Sequence, residues 1–313
     1  MSKYIQIENG RLFRPDAAVE WRRSETGFIL WDLTQAVAVD ANHEGAISEV
    51  AAQALELGRL GTGEGNSLFE NPSLCRQIFG WLSEEEEFFL EGHFSGLKQA
   101  QGLDVACGFG RLMFPLIAKG FNIVGVDESL PCIIECSEKL NSIGRGRVTR
   151  ASIEEFIEPA AFSFAYAAMN SLRYLQTKVA FFRHMTAMTK NLVRDSPYLI
   201  CISICKTPQL HHEQNWTFRY LEKDFRISWS RVDYCFLTEQ IVEYVNITSI
   251  DTGESIYSES QKQAHFSVNF LRNFFEKEKN NWFWESTYNT RYEKLDLQEE
   301  DVPGTFWLLI RRR

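Results

Sequence analysis

The chain has 313 residues, of which 44% are hydrophobic and 24% are charged, and its formal net charge is −9. This length predicts one large domain or two smaller ones, and the composition is that of a globular protein with a sizeable core. A protein that binds a phosphate backbone needs clustered cations, and the only dense basic run here is Arg311 to Arg313. We therefore expect no nucleic-acid partner.

The cysteines and the hydropathy pattern indicate in which cellular compartment we expect the protein. Seven cysteines are scattered along the chain without a CxxC pair or a metal-ligand spacing, which predicts free thiols, no metal site and a reducing compartment. The first residues lack the apolar segment of a signal peptide, and no run of about 18 apolar residues could span a membrane. We expect a cytoplasmic protein with no membrane association, and the sequence leaves a homodimer as an open alternative.

Residues 1–60 are predicted to form a small α+β extension. Its helix, over 44–57, follows Asn42 and ends at Gly58, and a glycine-rich linker over 61–67 comes next. The extension faintly resembles peptide-binding modules, and a dimerisation or lid element is the alternative. Its three predicted strands lie at 19–21, 28–31 and 36–39.

From Leu103 onward, short apolar strands alternate with helices, which is typical of a parallel sheet covered on both faces. Two further strands close the chain. We therefore predict an α/β fold with a doubly wound, mostly parallel seven-stranded sheet in a domain over 66–313. The seven strands are predicted at 103–107, 122–127, 147–151, 162–169, 198–204, 282–288 and 306–310.

Between the fifth strand and the last helix the pattern changes to an alternation of apolar and polar residues with period two. Such a pattern predicts antiparallel strands, and Asp251, Thr252 and Gly253 supply a hairpin turn. We predict an antiparallel insertion over 206–266 that covers the substrate side of the domain.

The segment from Leu103 to Ser129 carries the strongest functional signal. Gly108 and Gly110 follow a strand and allow positive φ angles and a close approach of the backbone to a ligand. Asp127 ends the next strand, where a carboxylate accepts the hydrogens of ribose hydroxyls. Met113 replaces the third glycine of the dinucleotide fingerprint, so the turn favours a nucleoside without a pyrophosphate.

The motifs DVACGFGR and VGVDES resemble those of the class I S-adenosylmethionine-dependent methyltransferases. The resemblance implies an enzyme that binds S-adenosylmethionine and transfers its methyl group to a nitrogen, oxygen or carbon of a small molecule. Ala106 and Ser152 depart from the family pattern, which often has glycine and aspartate there. The cofactor-binding residues that it implies are Asp104, Ala106, Gly108, Gly110, Asp127, Glu128, Ser129, Ser152, Ile153 and Met169.

Candidates for the acceptor side come from the rule that ligands bind beyond the carboxyl ends of parallel strands. Asn170 and Arg173 follow the fourth strand and are predicted to bind substrate, together with Trp216 in the insertion. Imidazoles and phenols are suited to proton transfer. The catalytic candidates are Tyr174, after the fourth strand, and His211 and His212, after the fifth.

Three alternatives stay open at the level of sequence. The enzyme could cyclise the cofactor without transferring its methyl group, or methylate a peptide. The chain could also be a binding protein with a degenerate nucleoside pocket, although Gly108, Gly110 and Asp127 argue against this reading.

Overall fold

The computed structural model describes residues 68–80, 83–235, 237–295 and 303–313, together with the backbone of four strands nearer the N-terminus. The predicted helix over 44–57 and the predicted linker over 61–67 lie outside the described residues. The chain divides into two compact units. The larger contains 72–212, 230–243 and 261–313, and the smaller contains 1–71, 213–229 and 244–260.

The strands and helices have the following bounds. In chain order the strands are β1 (Lys3–Gln6), β2 (Val19–Ser24), β3 (Gly27–Asp32), β4 (Val37–Ala41), β5 (Gln101–Val105), β6 (Asn122–Asp127), β7 (Arg147–Arg150), β8 (Phe164–Ala167), β9 (Pro197–Ile204), β10 (Glu213–Tyr220), β11 (Lys223–Cys235), β12 (Gln240–Ser249), β13 (Ser255–Ala264), β14 (Trp282–Tyr288), β15 (Lys294–Leu295) and β16 (Gly304–Arg312). The helices are α1 (Pro72–Phe79), α2 (Ser83–Phe94), α3 (Met113–Ala118), α4 (Leu130–Ile143), α5 (Lys178–Asn191) and α6 (Val268–Lys277).

The larger unit contains a sheet with the strand order β15-β14-β16-β9-β8-β5-β6-β7. Strands β5 to β9 pair in parallel, whereas β16 and β14 are antiparallel to their neighbours. This arrangement confirms the predicted doubly wound α/β fold with its seven strands, to which the structure adds the two-residue strand β15. Because β5 lies between β6 and β8, the carboxyl ends of these three strands meet at one edge of the sheet.

Two apolar layers cover the sheet, one on each face. Successive residues of β8 alternate between them, because strand side chains point to opposite faces. Ala165 and Ala167 join the layer that includes helices α5 and α6, and Phe164 and Tyr166 join the layer that includes α2 and α3. Burial on both faces explains why these strands read as continuous apolar runs.

The N-terminal strands form a separate four-stranded sheet with the order β1-β4-β3-β2. Strands β2, β3 and β4 correspond to the three strands predicted from the sequence. The structure adds β1, which pairs in parallel with β4.

The insertion forms a third sheet with the order β10-β11-β12-β13. Each strand is joined to the next by a connection far too short for a parallel crossover, so neighbouring strands are antiparallel. The period-two pattern predicts three strands here, at 216–230, 234–249 and 255–266, because nothing resembles a glycine turn near residue 221. The structure places a two-residue turn at Leu221 and Glu222, whose φ angles are 48° and 61°. Positive φ at both positions is the conformation of a tight hairpin turn.

Two further observations concern the cysteines and the hydropathy of the helices. All seven cysteines are free thiols, and five of them are buried. Among the described residues, no helix has both the length and the apolar character needed to cross a membrane.

Candidate active site

The glycine turn connects β5 to α3 at the carboxyl edge of the main sheet. Its φ angles are positive at Ala106 (57°), Gly108 (51°) and Gly110 (76°). A Cβ atom built on Gly108 would meet no other atom within 4 Å, whereas one on Gly110 would lie 2.4 Å from the Phe114 ring. The turn therefore has open space beside Gly108 and a packed side at Gly110. Ala106 adopts the left-handed conformation at a cost of about 1–2 kcal/mol, which glycine would avoid.

Asp127 joins the glycine turn to the end of β6. One carboxylate oxygen accepts the backbone N–H of Gly108 at 2.8 Å, and the other accepts that of Ser129 at 2.8 Å. Burial raises the pKa of Asp127, and these two N–H donors oppose the shift. A carboxylate has about four lone-pair sites, so two stay available for hydroxyl groups of a ligand. Glu128 beside it is exposed, and Ser129 caps helix α4.

Asp104 lies in the interior beneath the same turn. Its carboxylate accepts the hydroxyl of Tyr166 at 2.9 Å. Burial raises the pKa of Asp104 to about 8, while Tyr166 and the Arg111 charge oppose the shift. Arg111, two residues before α3, forms a buried ion pair with Glu86 of α2, and its Nη2 atom has no partner. The sequence did not single out Arg111, Glu86 or Tyr166, because their association depends on packing between distant segments.

The loop after β7 contains Ser152 and Ile153, the residues predicted to frame the adenine. Both are partly buried. The Ile153 carbonyl lies 2.9 Å from Nδ1 of His184, and Nε2 of His184 lies 2.8 Å from the Tyr198 hydroxyl. A carbonyl only accepts, so Nδ1 carries the proton and Nε2 accepts the proton of Tyr198. Sequence reasoning missed His184, which holds this loop from inside α5.

The buried histidine predicts a pH dependence of stability. Burial lowers the pKa of His184 to about 4, against about 6.5 in an unfolded chain. Between these two pKa values His184 is protonated in the unfolded state and neutral in the folded state. The free energy of unfolding therefore falls as the pH drops from 6.5 towards 4. Between pH 7 and pH 5 we expect the free energy of unfolding to fall by up to about 2 kcal/mol more in wild type than in His184→Gln. Urea titrations at both pH values measure the free energy of unfolding. If this free energy changed equally with pH in wild type and in His184→Gln, the prediction would be contradicted.

The segment after β8 has a strained backbone. Met169 and Asn170 both adopt positive φ, at 52° and 60°. Non-glycine residues in this region cost of order 1–3 kcal/mol each and are concentrated at functional sites. Met169 is 38% exposed, whereas the side-chain oxygen of Asn170 is buried and has no hydrogen-bond partner. A buried acceptor without a partner costs about 1–3 kcal/mol, so the Asn170 side chain adds to the strain of this segment.

Arg173 is buried four residues beyond Met169. Its guanidinium lies 3.4 Å from the Glu243 carboxylate, which also accepts Nε2 of Gln263 at 2.9 Å. Arg231 approaches the same carboxylate at 3.6 Å. Arg173 therefore ties the segment after β8 to the residues of the insertion that belong to the larger unit. Its predicted role in substrate binding stays a prediction.

The remaining predicted site residues are His211, His212, Tyr174 and Trp216. His211 and His212 are exposed just before β10, and His211 has a φ of 62°. Tyr174 is half-buried in a short helical turn over Ser171–Leu175. Trp216 belongs to the smaller unit, where it stacks on Trp229 with ring centroids 6.5 Å apart. Their predicted catalytic and substrate roles stay predictions.

Together these residues fit a nucleoside. Open space beside Gly108 accommodates the close approach of such a ligand, and Asp127 retains free lone pairs for ribose. When bound, S-adenosylmethionine supplies a methyl group on a sulfonium. The residues that would hold it are those of the glycine turn, Asp127 and the loop at Ser152 and Ile153.

Comparison with known proteins identifies a domain family and similar folds. Residues 103–191 match the family model described as "Methyltransferase domain". An S-adenosylmethionine-dependent methyltransferase from Clostridium acetobutylicum superposes with a TM-score of 0.61 at 15% identity, over 76% of this chain and 95% of that one. The sugar N-methyltransferase KedS8 from Streptoalloteichus gives 0.61 at 16% identity, over 81% and 97%. CalS10, an amino pentose methyltransferase from Micromonospora echinaspora, gives 0.57 at 12% identity, over 75% and 94%. No curated protein matches the sequence.

The doubly wound sheet has the fold of S-adenosylmethionine-dependent methyltransferases, and residues 103–191 match a methyltransferase domain. The chain carries this domain and is an enzyme with S-adenosylmethionine as its cofactor.

Proposed function

We propose that this enzyme transfers the methyl group of S-adenosylmethionine to the nitrogen of a small-molecule amine in the cytoplasm. The seven free thiols support a reducing compartment. The observation that carries the proposal is the buried, unpartnered Oδ1 atom of Asn170. Both N–H and O–H groups can donate to this oxygen, and the likeness of the fold to a sugar N-methyltransferase favours the N–H of an amine.

The position of Asn170 supports the proposal. It follows β8, which pairs with β5, so it shares the carboxyl edge of the sheet with the glycine turn. Methyl transfer needs the lone pair of the acceptor in line with the sulfonium, and positioning provides most of the rate. An amine whose N–H binds Oδ1 of Asn170 has its orientation restricted, and its lone pair can then face the methyl group. Two of the similar structures are named for a sugar N-methyltransferase and an amino pentose methyltransferase.

Incubation with labelled S-adenosylmethionine and a panel of acceptors tests the function. The panel contains amino sugars, aliphatic amines, the alcohols that match them, a phenol and a short peptide. We expect a methylated amine and stoichiometric S-adenosylhomocysteine. Methylthioadenosine formed without any acceptor would instead indicate cyclisation of the cofactor, and methylation of the alcohols or the peptide alone would overturn the choice of a small amine.

Asn170 gives a sharper prediction. Asn170→Gly removes the acceptor oxygen and tolerates the positive φ, so we expect kcat/KM for the amine to fall about tenfold to a hundredfold, the equivalent of one strong hydrogen bond. Asn170→Asp keeps an oxygen and should retain activity within about tenfold. Calorimetry should show an unchanged affinity for S-adenosylhomocysteine in both. Equal rates for wild type and Asn170→Gly would remove the basis for the proposal.

A further inference from the structure

A tyrosine and a histidine form a hydrogen-bonded pair near the carboxyl end of β9. The hydroxyl of Tyr234 lies 3.0 Å from Nδ1 of His265. Nε2 of His265 lies 2.8 Å from the carbonyl of Cys205, the residue that directly follows β9. The two rings meet edge to face with centroids 5.2 Å apart. All three residues belong to the larger unit.

The partners of His265 fix its protons. A backbone carbonyl only accepts, so Nε2 must carry a hydrogen and donate it to Cys205. In the neutral imidazole Nδ1 then has a lone pair, and the Tyr234 hydroxyl donates to it. The pair is therefore a phenol whose proton already points at a base.

The surroundings keep this base neutral. His265 is 4% exposed, and burial lowers its pKa; the charges of Lys178 and Arg173 act in the same direction, while Glu239 and the Cys205 carbonyl oppose them. Lys178 and Glu239 form an ion pair with each other. Tyr234 is half-buried, and it also lies near Cys205, Cys235 and Glu239. A ligand would thus reach the phenol and not the imidazole.

The pair lies on segments tied to the turn that carries Asn170. The backbone N–H of Arg173 donates to the Asn170 carbonyl at 2.9 Å. The guanidinium of Arg173 in turn donates to the carbonyl of Ala264, the neighbour of His265, at 3.5 Å. Because β8 and β9 are adjacent and parallel, Asn170 and Cys205 follow the same edge of the sheet.

We propose that Tyr234 and His265 form the proton acceptor for methyl transfer, an assignment that rests on the proposed function. An aliphatic amine is largely protonated at neutral pH and has no lone pair until it loses a proton. The ammonium N–H gives its proton to the Tyr234 oxygen as the phenol proton moves to Nδ1 of His265. The freed nitrogen lone pair then forms the N–CH3 bond while the S–CH3 bond breaks, and its electron pair remains on sulfur. His265 later releases the proton to water.

The first test compares Tyr234→Phe and His265→Gln with the control Tyr244→Phe, which alters a tyrosine of the smaller unit. With an amine that wild type methylates, we expect kcat at pH 7 to fall about a hundredfold in the two site variants. Their rates should recover as the pH rises above the pKa of the free amine, because the amine substrate then loses its proton to the solvent before it binds. A merely structural role would give no such recovery. Affinity for S-adenosylhomocysteine should be unchanged in all three variants.

The second test needs no acceptor. Nitrogen-15 NMR of wild type at pH 7 should show His265 with Nε2 protonated and Nδ1 unprotonated, and Tyr234→Phe should shift the Nδ1 resonance. The opposite tautomer, or an imidazolium at pH 7, would overturn the assignment. If wild type methylates amines and both variants keep its kcat at pH 7, the pair is not the proton acceptor and the proposed function stands. If wild type methylates no amine, the proposed function fails, and the NMR result alone decides whether the pair holds a basic Nδ1.

Discussion

Asp127→Ala should weaken the binding of S-adenosylhomocysteine by about thirtyfold to several hundredfold. Two effects add. The substitution removes the acceptor of the ribose hydroxyls, and each charge-assisted hydrogen bond contributes roughly 1.5–3 kcal/mol. It also releases the backbone N–H groups of Gly108 and Ser129, which both donate to this carboxylate at 2.8 Å. The turn then loses its attachment to the end of β6. Calorimetric titration measures the affinity.

The same change should lower the free energy of unfolding by about 1–3 kcal/mol, because two partly buried donors lose their acceptor. The protein should still fold. Asp127→Asn keeps one acceptor oxygen and should lie between wild type and Asp127→Ala in both measurements. Glu138→Ala removes an exposed acid from α4 and serves as the control for net charge. A folded Asp127→Ala protein with the affinity of wild type would place the nucleoside elsewhere.

Gly108→Val should abolish detectable cofactor binding at a modest cost in stability. The φ of Gly108 is 51°, and a Cβ there would point into open space. The left-handed conformation costs a non-glycine residue about 1–2 kcal/mol, and a β-branched residue is the least tolerant of it. The larger effect is steric, because the isopropyl group would fill the space that we assign to the ligand. Titration with S-adenosylhomocysteine and urea unfolding separate the two effects.

Gly110→Ala provides the matched comparison. Its Cβ would lie 2.4 Å from the Phe114 ring, and its φ is 76°. Overpacking typically costs 1–3 kcal/mol in addition to the backbone strain. We therefore expect the larger loss of stability from Gly110→Ala and the larger loss of affinity from Gly108→Val. The reverse order would show that the open side of the turn is not where the ligand lies.

Local sequence patterns were sufficient for the central sheet. Strands β5, β6, β8 and β9 are largely buried on both faces and helices alternate with the strands, so these elements could be recognised without their neighbours. The insertion was predicted less well. Leu221 and Glu222 carry no glycine or asparagine signal, yet they adopt a two-residue turn, because pairing along both flanking strands stabilises positive φ there.

The site divides in the same way. The sequence alone determined the class of cofactor, since the glycine turn and Asp127 are close in the chain and belong to one strand-helix-strand unit. Only the tertiary structure decided that both oxygens of Asp127 hold the backbone of the turn. It also decided that Arg173 pairs with Glu243 and that His265 meets Tyr234. These partners are separated by 70 and 31 residues, and no local periodicity relates them. Contacts between residues so far apart in the chain depend on how the strands of the insertion pack, and no local sequence pattern specifies this packing.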